Sequence, residues 1–202
     1  MIAIGFTGLS GCGKDVAASI LADIAKAHNF SVVFYQFADV IRDELKKRKI
    51  SNETGSREIL LNLGNELRST YGPGVLASRI IDNFKASIAD NKPVPNILIA
   101  TGIRNKGEVE TLRKEWGENF ILVSIQASEN IRADRKMSRS QYQEDKHSSD
   151  EIEKADKDIG ILECIEISDV QIRNDGTLDD LKDEMTQFFQ NRLLPALSSQ
   201  TP

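Results

Sequence analysis

The sequence predicts an α/β fold in which a five-stranded parallel sheet lies between two layers of helices. Three observations support this: short apolar runs rich in β-branched residues, helical periodicity between them, and regular alternation of the two along the chain. The predicted strands are residues 2–6, 31–37, 96–100, 120–126 and 170–173. The length of 202 residues fits one domain, which we place at 1–197, followed by a flexible tail at 198–202.

The stretch between the second and third predicted strands is long. Roughly 58 residues separate them, far more than a minimal crossover needs. Their periodicity predicts helices near 38–48, 56–71 and 75–90, the last two joined by a Tyr-Gly-Pro-Gly turn signal. We therefore expect residues 38–91 to form a helical insertion, which is able to serve as a substrate-binding arm.

A glycine-rich segment follows the first predicted strand directly. Residues 8–15 read Gly-Leu-Ser-Gly-Cys-Gly-Lys-Asp, the phosphate-loop pattern G-x-x-x-x-G-K with a changed last position. Such glycines let backbone N–H groups surround a β-phosphate, the following helix N-terminus adds a positive dipole end, and Lys14 supplies a charge to the β- and γ-phosphate oxygens. The pattern predicts that ATP binds to Gly8, Ser10, Gly11, Cys12, Gly13, Lys14 and Asp15. The competing interpretation is a glycine-rich turn that binds nothing.

Asp15 stands where this pattern usually has Ser or Thr, whose hydroxyl binds magnesium. A carboxylate binds the same ion directly or through water, so we predict a Mg²⁺ cofactor with Asp15 as a metal ligand. Cys12 occupies a variable position of the loop, where a small filler side chain is one interpretation. The other is an oxidisable thiol whose pKa is lowered by the helix N-terminus.

Candidate catalytic and acceptor-binding residues follow the second and third strands. Asp39 is predicted at the carboxyl edge of the sheet, where ligands bind in open α/β folds. It is therefore a candidate for two roles in phosphoryl transfer from ATP: taking the proton of the acceptor substrate, or holding a water molecule on magnesium. The alternative is that Asp39 caps the next helix. At the third strand, Thr101 stands where many phosphate-loop proteins carry an acidic residue. Arg104, Arg42 and Arg68 are predicted to bind an anionic acceptor, although an arginine on a helix is often a solvated stem.

Three arginines after the fourth strand are spaced to share one helical face. They are Arg132, Arg135 and Arg139. They lead into residues 139–150, which have no apolar periodicity. We predict a lid at 132–150 that moves these charges over the phosphates and excludes water, with Arg139 as a catalytic residue beside Lys14 and Asp39. The alternative is a solvated basic stripe paired with Glu129 and Asp134.

The composition excludes several classes of partner. The net charge is −5 and no long Lys/Arg tract offsets it, so we expect no nucleic-acid partner and no binding to anionic membranes. No apolar stretch approaches the ~18 residues that span a bilayer. The 2 cysteines lack C-x-x-C spacing, which indicates reduced thiols and a cytoplasmic protein.

These residues resemble an archaeal family of predicted nucleotide kinases described as dephospho-CoA-kinase-like or adenylate-kinase-related. The resemblance covers nearly the whole chain. It rests on the phosphate loop, Ala38-Asp39-Val40-Ile41-Arg42, Leu67-Arg68 through Tyr71-Gly72-Pro73 to Ala77, Gly102-Ile103-Arg104 with Glu108-Val109-Glu110, Gly117-Glu118-Asn119-Phe120 and Asn174-Asp175-Gly176. It implies a nucleoside monophosphate kinase-like P-loop NTPase fold with a helical acceptor arm and a lid. It also implies an adenine-side loop near Asn174, which adds Asn174 to the predicted ATP-binding residues.

The chain departs from that family at two positions. The family usually has Gly-Lys-Ser and an Asp before the Gly-x-Arg segment, where this chain has Asp15 and Thr101. The Gly-Lys-Asp ending resembles phage deoxynucleoside monophosphate kinases and animal-type phosphomevalonate kinases. Asp39 matches the position of the catalytic base in dephospho-CoA kinases.

The leading expectation is an ATP- and Mg²⁺-dependent kinase, monomeric or homodimeric, that acts on a small phosphorylated acceptor. The candidate acceptors are a nucleoside or deoxynucleoside monophosphate and a dephospho-CoA-like metabolite. A phosphomevalonate-type kinase is one alternative. Another is an ATP-binding switch or assembly factor with slow hydrolysis, whose arm and lid bind a macromolecule. Dependence of ATP turnover on a small acceptor separates the kinases from the switch.

Overall fold

Five parallel strands form one sheet in the computed structural model, which describes residues 1–50, 57–89, 92–138 and 149–198. The strands are β1 (Ile2–Thr7), β2 (Val32–Gln36), β3 (Ile97–Ile103), β4 (Phe120–Gln126) and β5 (Val170–Arg173). All five lie where the sequence predicts strands. β3 continues past its predicted end at residue 100, and Thr7 Oγ1 donates a hydrogen bond to the Ile103 carbonyl at 2.8 Å.

The strand order is β2-β3-β1-β4-β5, and every neighbouring pair is parallel. Ile4 in the central strand lies opposite Ile99 on one side and Ile121 on the other. From β1 the chain crosses toward one edge of the sheet to reach β2, and from β3 it crosses toward the opposite edge to reach β4. The carboxyl ends of β1 and β3 therefore flank the topological switch point, where open α/β folds bind their ligands.

The described helices alternate with these strands and cover both faces of the sheet. They are α1 (Lys14–Ala27), α2 (Phe37–Lys47), α3 (Arg57–Tyr71), α4 (Val75–Ser87), α5 (Lys106–Trp116), α6 (Glu129–Met137), α7 (Ser149–Ile159), α8 (Ile161–Glu166), α9 (Leu178–Phe188) and α10 (Leu194–Ser198). A 3₁₀ turn (Gly117–Asn119) precedes β4, and a π-helical turn (Phe189–Leu193) joins α9 to α10.

Alternation of side chains along the strands produces two cores. Ile4 and Phe6 of β1 pack with Leu21 of α1 and Met185 of α9 on one face. On the other face, Ala3, Leu98 and Leu122 pack with apolar residues of α2 to α5. The predicted three-layer α/β/α fold is confirmed.

The three helices predicted in the insertion are α2, α3 and α4, all packed on the second core. Phe37, predicted as the end of the second strand, is instead the first residue of α2. Residues 51–56 and 90–91 of the insertion lie outside the described residues.

Two sequence predictions in the C-terminal half need correction. Ser149 and Asp150, predicted as part of a loop, belong to the first turn of α7, because that helix starts at Ser149. Ser198, predicted as the first residue of the tail, is the last residue of α10, and 199–202 lie outside the described residues.

In the described ranges, no helix combines the length and apolar character that a membrane span requires.

Candidate phosphate-binding site

The phosphate loop connects β1 to α1 at the topological switch point. Three of its glycines, Gly8, Gly11 and Gly13, have φ values of 139°, 84° and 93°, which L side chains rarely adopt. α1 begins at Lys14, immediately after Gly13 in a left-handed conformation. The loop therefore places backbone N–H groups and a helix N-terminus together, an arrangement that stabilises a bound phosphate.

Neighbouring elements leave no room for side chains at these glycines. A Cβ at Gly11 would lie 2.6 Å from the carbonyl oxygen of Arg132, and a Cβ at Gly8 would lie 2.8 Å from Cys12 Sγ. A Cβ at Gly13 would collide with the side-chain amide of Asn174. The loop is thus fixed both by its own conformation and by contacts from α6 and the segment after β5.

Asn174 contacts the backbone of the phosphate loop. Its Nδ2 donates to the Cys12 carbonyl at 2.8 Å, and its own carbonyl accepts from Arg135 Nη1 at 3.0 Å. The residue is 5% exposed. The family resemblance implies that Asn174 binds ATP, and the structure places its side-chain amide against the backbone of the phosphate loop.

Lys14 and Ser10 are two polar residues of the loop, and both are largely buried, at 8% and 6% exposure. Cys12 is fully buried in the first core. Burial raises the pKa of the Cys12 thiol, and the nearby Lys14 opposes this only in part. The expectation of a helix-lowered pKa is therefore wrong, and the interpretation of Cys12 as a small filler fits its packing.

Asp15 is exposed in the first turn of α1, one residue after Lys14. Thr101, which is 2% exposed, lies opposite Phe6 near the carboxyl end of β3. Among the described residues, no group of three or more His, Cys, Asp or Glu side chains could hold a metal ion. Asp15 and Thr101 carry oxygen atoms, the type of ligand that Mg²⁺ prefers, and this ion commonly takes only one or two protein ligands.

Asp39 and Arg42 form a pair on the exposed side of α2. Arg42 Nη1 lies 2.7 Å from Asp39 Oδ1, and the side chains are 47% and 58% exposed, respectively. Asp39 is the third residue of α2, whose N-cap is Gln36, so the alternative in which Asp39 caps the helix is wrong. The structure therefore leaves the Asp39 carboxylate accessible, with Arg42 as its partner.

Arg68 points into the protein. Its guanidinium donates from Nη2 to Glu108 Oε1 at 2.7 Å, and the two side chains are 11% and 0% exposed. The predicted role in acceptor binding would require Arg68 to serve this buried carboxylate and a ligand at once. The solvated-stem alternative is wrong, because the Arg68 side chain is only 11% exposed.

Arg104 and a second arginine, Arg57, converge on the carboxylate of Asp156 in α7. Arg104 Nη1 lies 3.1 Å from Asp156 Oδ1, and Arg57 Nη2 lies 3.4 Å from both carboxylate oxygens. Arg57 also donates from Nη1 to Ser10 Oγ of the phosphate loop at 3.3 Å. The Asp156 side chain is 2% exposed, whereas those of Arg57 and Arg104 are 25% and 27% exposed. The cluster connects α3, the end of β3 and α7 to the loop.

The sequence analysis did not identify Arg57 or Asp156. A signal for Asp156 exists, because it follows Ala155 and precedes Ile159 by three residues, on the apolar stripe of an amphipathic helix. An aspartate at such a position is rarely left unpaired. Arg57 carries no comparable signal, since it lies at the edge of the predicted second helix of the insertion.

The predicted lid arginines lie beside the loop where the structure describes them. Arg132 is 6% exposed at its side chain, donates to Glu153 at 2.5 and 3.1 Å, and donates from Nε to the Ala127 carbonyl at 3.1 Å. Its hydrogen bonds, followed by Lys157's, lower the pKa of Glu153 to about 2. The solvated-stripe alternative is wrong for Arg132, because its partner is neither Glu129 nor Asp134. Arg139 lies outside the described residues.

A cleft of about 380 Å³ lies between α3 and α7 and reaches Asn105, the residue that follows Arg104. Its lining residues are Asn65, Arg68, Asn105, Ala155, Asp158 and Ile159. The side chain of Asn105 donates to the Ile159 carbonyl at 3.0 Å and accepts from Gly107 N, so it ties the C-terminal end of α7 to the start of α5. The cleft offers amide and charged groups to a polar small molecule.

The chain is similar in sequence to several UPF0200 proteins. No protein-family model matches the chain. The chain is similar to the UPF0200 protein of Methanosarcina barkeri, with 29% identity over 193 residues, 94% of this chain and 95% of the relative. It is also 29% identical over 190 residues to a UPF0200 protein of Halobacterium salinarum, covering 94% of this chain and 93% of that protein.

Two solved kinase structures have a similar fold. The shikimate kinase from Acinetobacter baumannii in complex with shikimate matches with a TM-score of 0.57 at 16% identity, over 96% of each chain. A gluconokinase from Sinorhizobium meliloti matches with a TM-score of 0.53 at 16% identity, over 99% of this chain and 97% of the other. None of these relatives is named a dephospho-CoA kinase or adenylate kinase, so that finer resemblance stays a prediction. The chain has the fold of P-loop kinases.

Proposed function

We propose that this protein is an ATP- and Mg²⁺-dependent phosphotransferase that acts on a small, phosphorylated acceptor. The observation that carries the proposal is the contact between Ser10 of the phosphate loop and Arg57, which shares Asp156 with Arg104. A loop built for a triphosphate is thus joined to guanidiniums from two other elements. Phosphoryl transfer requires this combination of a donor cradle and cations near the transferred group.

On the donor side, the loop amides and Lys14 hold the β- and γ-phosphates of ATP, while Asn174 keeps the loop in place through the Cys12 carbonyl. Mg²⁺, when bound, would neutralise charge on the phosphate oxygens, with Asp15 and Thr101 as the residues that hold it directly or through water. Gly8, Ser10, Gly11 and Gly13 supply the backbone of the cradle.

On the acceptor side, the insertion of α2 to α4 and the cleft between α3 and α7 bind the substrate. Asp39 takes the proton of the attacking hydroxyl or phosphate group, and Arg42 orients its carboxylate at 2.7 Å. The acceptor oxygen forms a bond to the γ-phosphorus as the bond from that phosphorus to the ADP oxygen breaks. Arg104 binds the anionic group of the acceptor. We also propose that the segment 132–150 acts as the lid and that Arg139 assists the transfer.

A transfer assay tests this proposal. The purified protein is incubated with ATP, Mg²⁺ and one acceptor at a time: nucleoside and deoxynucleoside monophosphates, dephospho-CoA and phosphomevalonate. Mass spectrometry then detects which acceptor gains a phosphoryl group. We expect one class of acceptor to gain this mass, and ADP to form in equal amount. Release of phosphate at a rate that no acceptor changes would contradict the kinase.

A second candidate is an ATP-binding switch with slow hydrolysis. One observation favours it: Arg42, Arg68 and Arg104 each already pair with a carboxylate, namely Asp39, Glu108 and Asp156. A protein that never grips a free acceptor has no need of unpaired arginines. Acceptor-independent ATP hydrolysis, together with retention of a macromolecule in the ATP-bound form only, would favour the switch.

The site of action is proposed to be the cytoplasm. Both cysteines are buried and unpaired in the structure, which fits a reducing compartment.

A further inference from the structure

Helix α7 directs two carboxylates at the arginines around the phosphate loop. Glu153 and Asp156 are one turn apart and face the same side. Glu153 pairs with Arg132, whose carbonyl lies against Gly11, and Asp156 pairs with Arg57 and Arg104. α7 thus pairs with three of the arginines around the loop.

The distances at Asp156 differ from those of a fixed ion pair in the same protein. Arg68 and Glu108 approach to 2.7 Å, within the range of about 2.7–2.9 Å for strong charge-assisted bonds. Asp156 lies 3.1 Å from Arg104 and 3.4 Å from Arg57. The Asp156 carboxylate is therefore held by two guanidiniums without a short bond to either.

The two guanidiniums repel each other unless an anion lies between them. Both remain about one-quarter exposed, while the carboxylate behind them is covered. Among the described residues, Asp156 is the only carboxylate paired with Arg104. A phosphoryl group carries more charge than a carboxylate and has more oxygens for the two guanidinium planes, so it competes well for this position.

We propose that Asp156 is an internal counter-anion, which holds Arg57 and Arg104 beside the phosphate loop and is displaced when the phosphoryl group of a ligand binds these two arginines. This inference rests on the proposed function for its ligand class. The Asn105 bond to the Ile159 carbonyl keeps the C-terminal end of α7 in place, so displacement moves the turns that carry Glu153 and Asp156. Gly160, with φ of 104°, follows that anchored end.

Binding of inorganic phosphate, measured by calorimetry, tests the proposal without any need for catalysis. Asp156→Asn keeps the shape and removes the competing charge, so we expect phosphate to bind at least about tenfold more tightly than to the unchanged protein. Asp183→Asn, which removes an exposed aspartate of α9, is the matched control and should leave the affinity unchanged. The gain should disappear in the double variant Asp156→Asn/Arg104→Ala. Equal or weaker phosphate binding by Asp156→Asn would overturn the proposal.

Hydrogen exchange of the unchanged protein provides a second readout, which stands even if Asp156→Asn does not fold. At constant ionic strength, the amides of residues 149–159 should exchange faster when inorganic phosphate replaces chloride. A separate arm of the experiment adds ATP without acceptor. If ATP speeds the exchange, the displacing phosphoryl group belongs to the donor. If inorganic phosphate speeds the exchange and ATP does not, the displacing group belongs to the acceptor. Unchanged exchange in both arms would overturn the proposal.

The two proposals fail in different ways. If phosphate displaces Asp156 but no acceptor gains mass, the phosphotransferase proposal fails and the counter-anion stands. If an acceptor is phosphorylated while Asp156→Asn binds phosphate no better, the kinase stands and the counter-anion is wrong.

Discussion

Arg68 donates two hydrogen bonds to the Oε1 atom of Glu108, from Nε at 3.0 Å and from Nη2 at 2.7 Å. The second carboxylate oxygen accepts from the backbone N atoms of Arg104 and Asn105, at 2.9 and 3.2 Å. Glu108 is fully buried. One carboxylate therefore joins helix α3 of the insertion to the backbone that carries Arg104, so a buried ion pair links the insertion to the carboxyl end of β3.

Removal of that carboxylate should destabilise the protein. Glu108→Gln leaves the Arg68 guanidinium buried without a compensating charge, and loss of one partner of a buried pair costs about 3–5 kcal/mol. We expect urea denaturation to show a fall of that order in the free energy of unfolding. Glu110→Gln, on the same helix with a side chain 65% exposed, is the control and should change it by less than about 0.5 kcal/mol. Similar decreases in the free energy of unfolding for both variants would show that the buried pair stabilises the protein no more than an exposed carboxylate does.

The pair of Arg132 and Glu153 should make stability depend on pH. The hydrogen bonds from Arg132 hold the pKa of Glu153 at about 2 in the folded protein, below its ordinary value of 4.5. The pair therefore stabilises the fold fully above pH 4.5, and this stabilisation is lost as the pH falls from 4.5 toward 2. We expect Glu153→Gln to have a lower urea midpoint than the unchanged protein above pH 4.5, with the difference shrinking below it. A difference that stays constant with pH would refute this assignment.

Asn174 should control ATP binding without contact with the nucleotide. Asn174→Ala removes the bond to the Cys12 carbonyl and leaves a buried acceptor unsatisfied, which costs about 1–3 kcal/mol. Since that bond fixes the loop backbone, we expect ATP affinity measured by calorimetry to fall by about tenfold. Asn83→Ala, at an exposed position of α4, is the control. Unchanged ATP affinity in Asn174→Ala would show that the glycines alone shape the loop.

Asp15 should determine how much magnesium the reaction needs. Asp15→Ala removes a carboxylate at the start of α1, so we expect half-maximal activity at a higher Mg²⁺ concentration. Asp15→Ser supplies the hydroxyl found in most phosphate loops, so its half-maximal activity should occur at nearly the same Mg²⁺ concentration as in the unchanged protein. Magnesium titrations of the transfer rate measure both. Superimposable curves for the unchanged protein and Asp15→Ala would limit Asp15 to a favourable interaction with the helix dipole.

The fold could be predicted from local patterns. β1 and the phosphate loop are contiguous in sequence, and the apolar runs of β4 and β5 end where the structure ends them. The insertion helices were predicted because apolar periodicity and the turn after Tyr71 are local signals. In contrast, α7 and α8 were not predicted, because α7 directly follows residues 139–148, which lack apolar periodicity, and α8 is only six residues long.

The candidate site illustrates the same limit. Lys14 and the glycines follow from a pattern of adjacent residues, whereas the partners of the arginines depend on tertiary packing. Arg104 meets Asp156 across 52 residues, and Arg57 meets it across 99. The sequence analysis identified Arg104 from its position after β3, but no pattern of spacing indicates which carboxylate it contacts.

Lys14 provides the most direct test of the central claim that the loop catalyses phosphoryl transfer. The measurement is the rate at which labelled γ-phosphoryl moves from ATP to the accepted substrate, in the unchanged protein and in Lys14→Ala. Lys14 lies in the loop and contributes little to the apolar cores, so the variant should keep its circular dichroism spectrum while the rate falls at least ~100-fold. An equal transfer rate in a folded Lys14→Ala protein would contradict the claim.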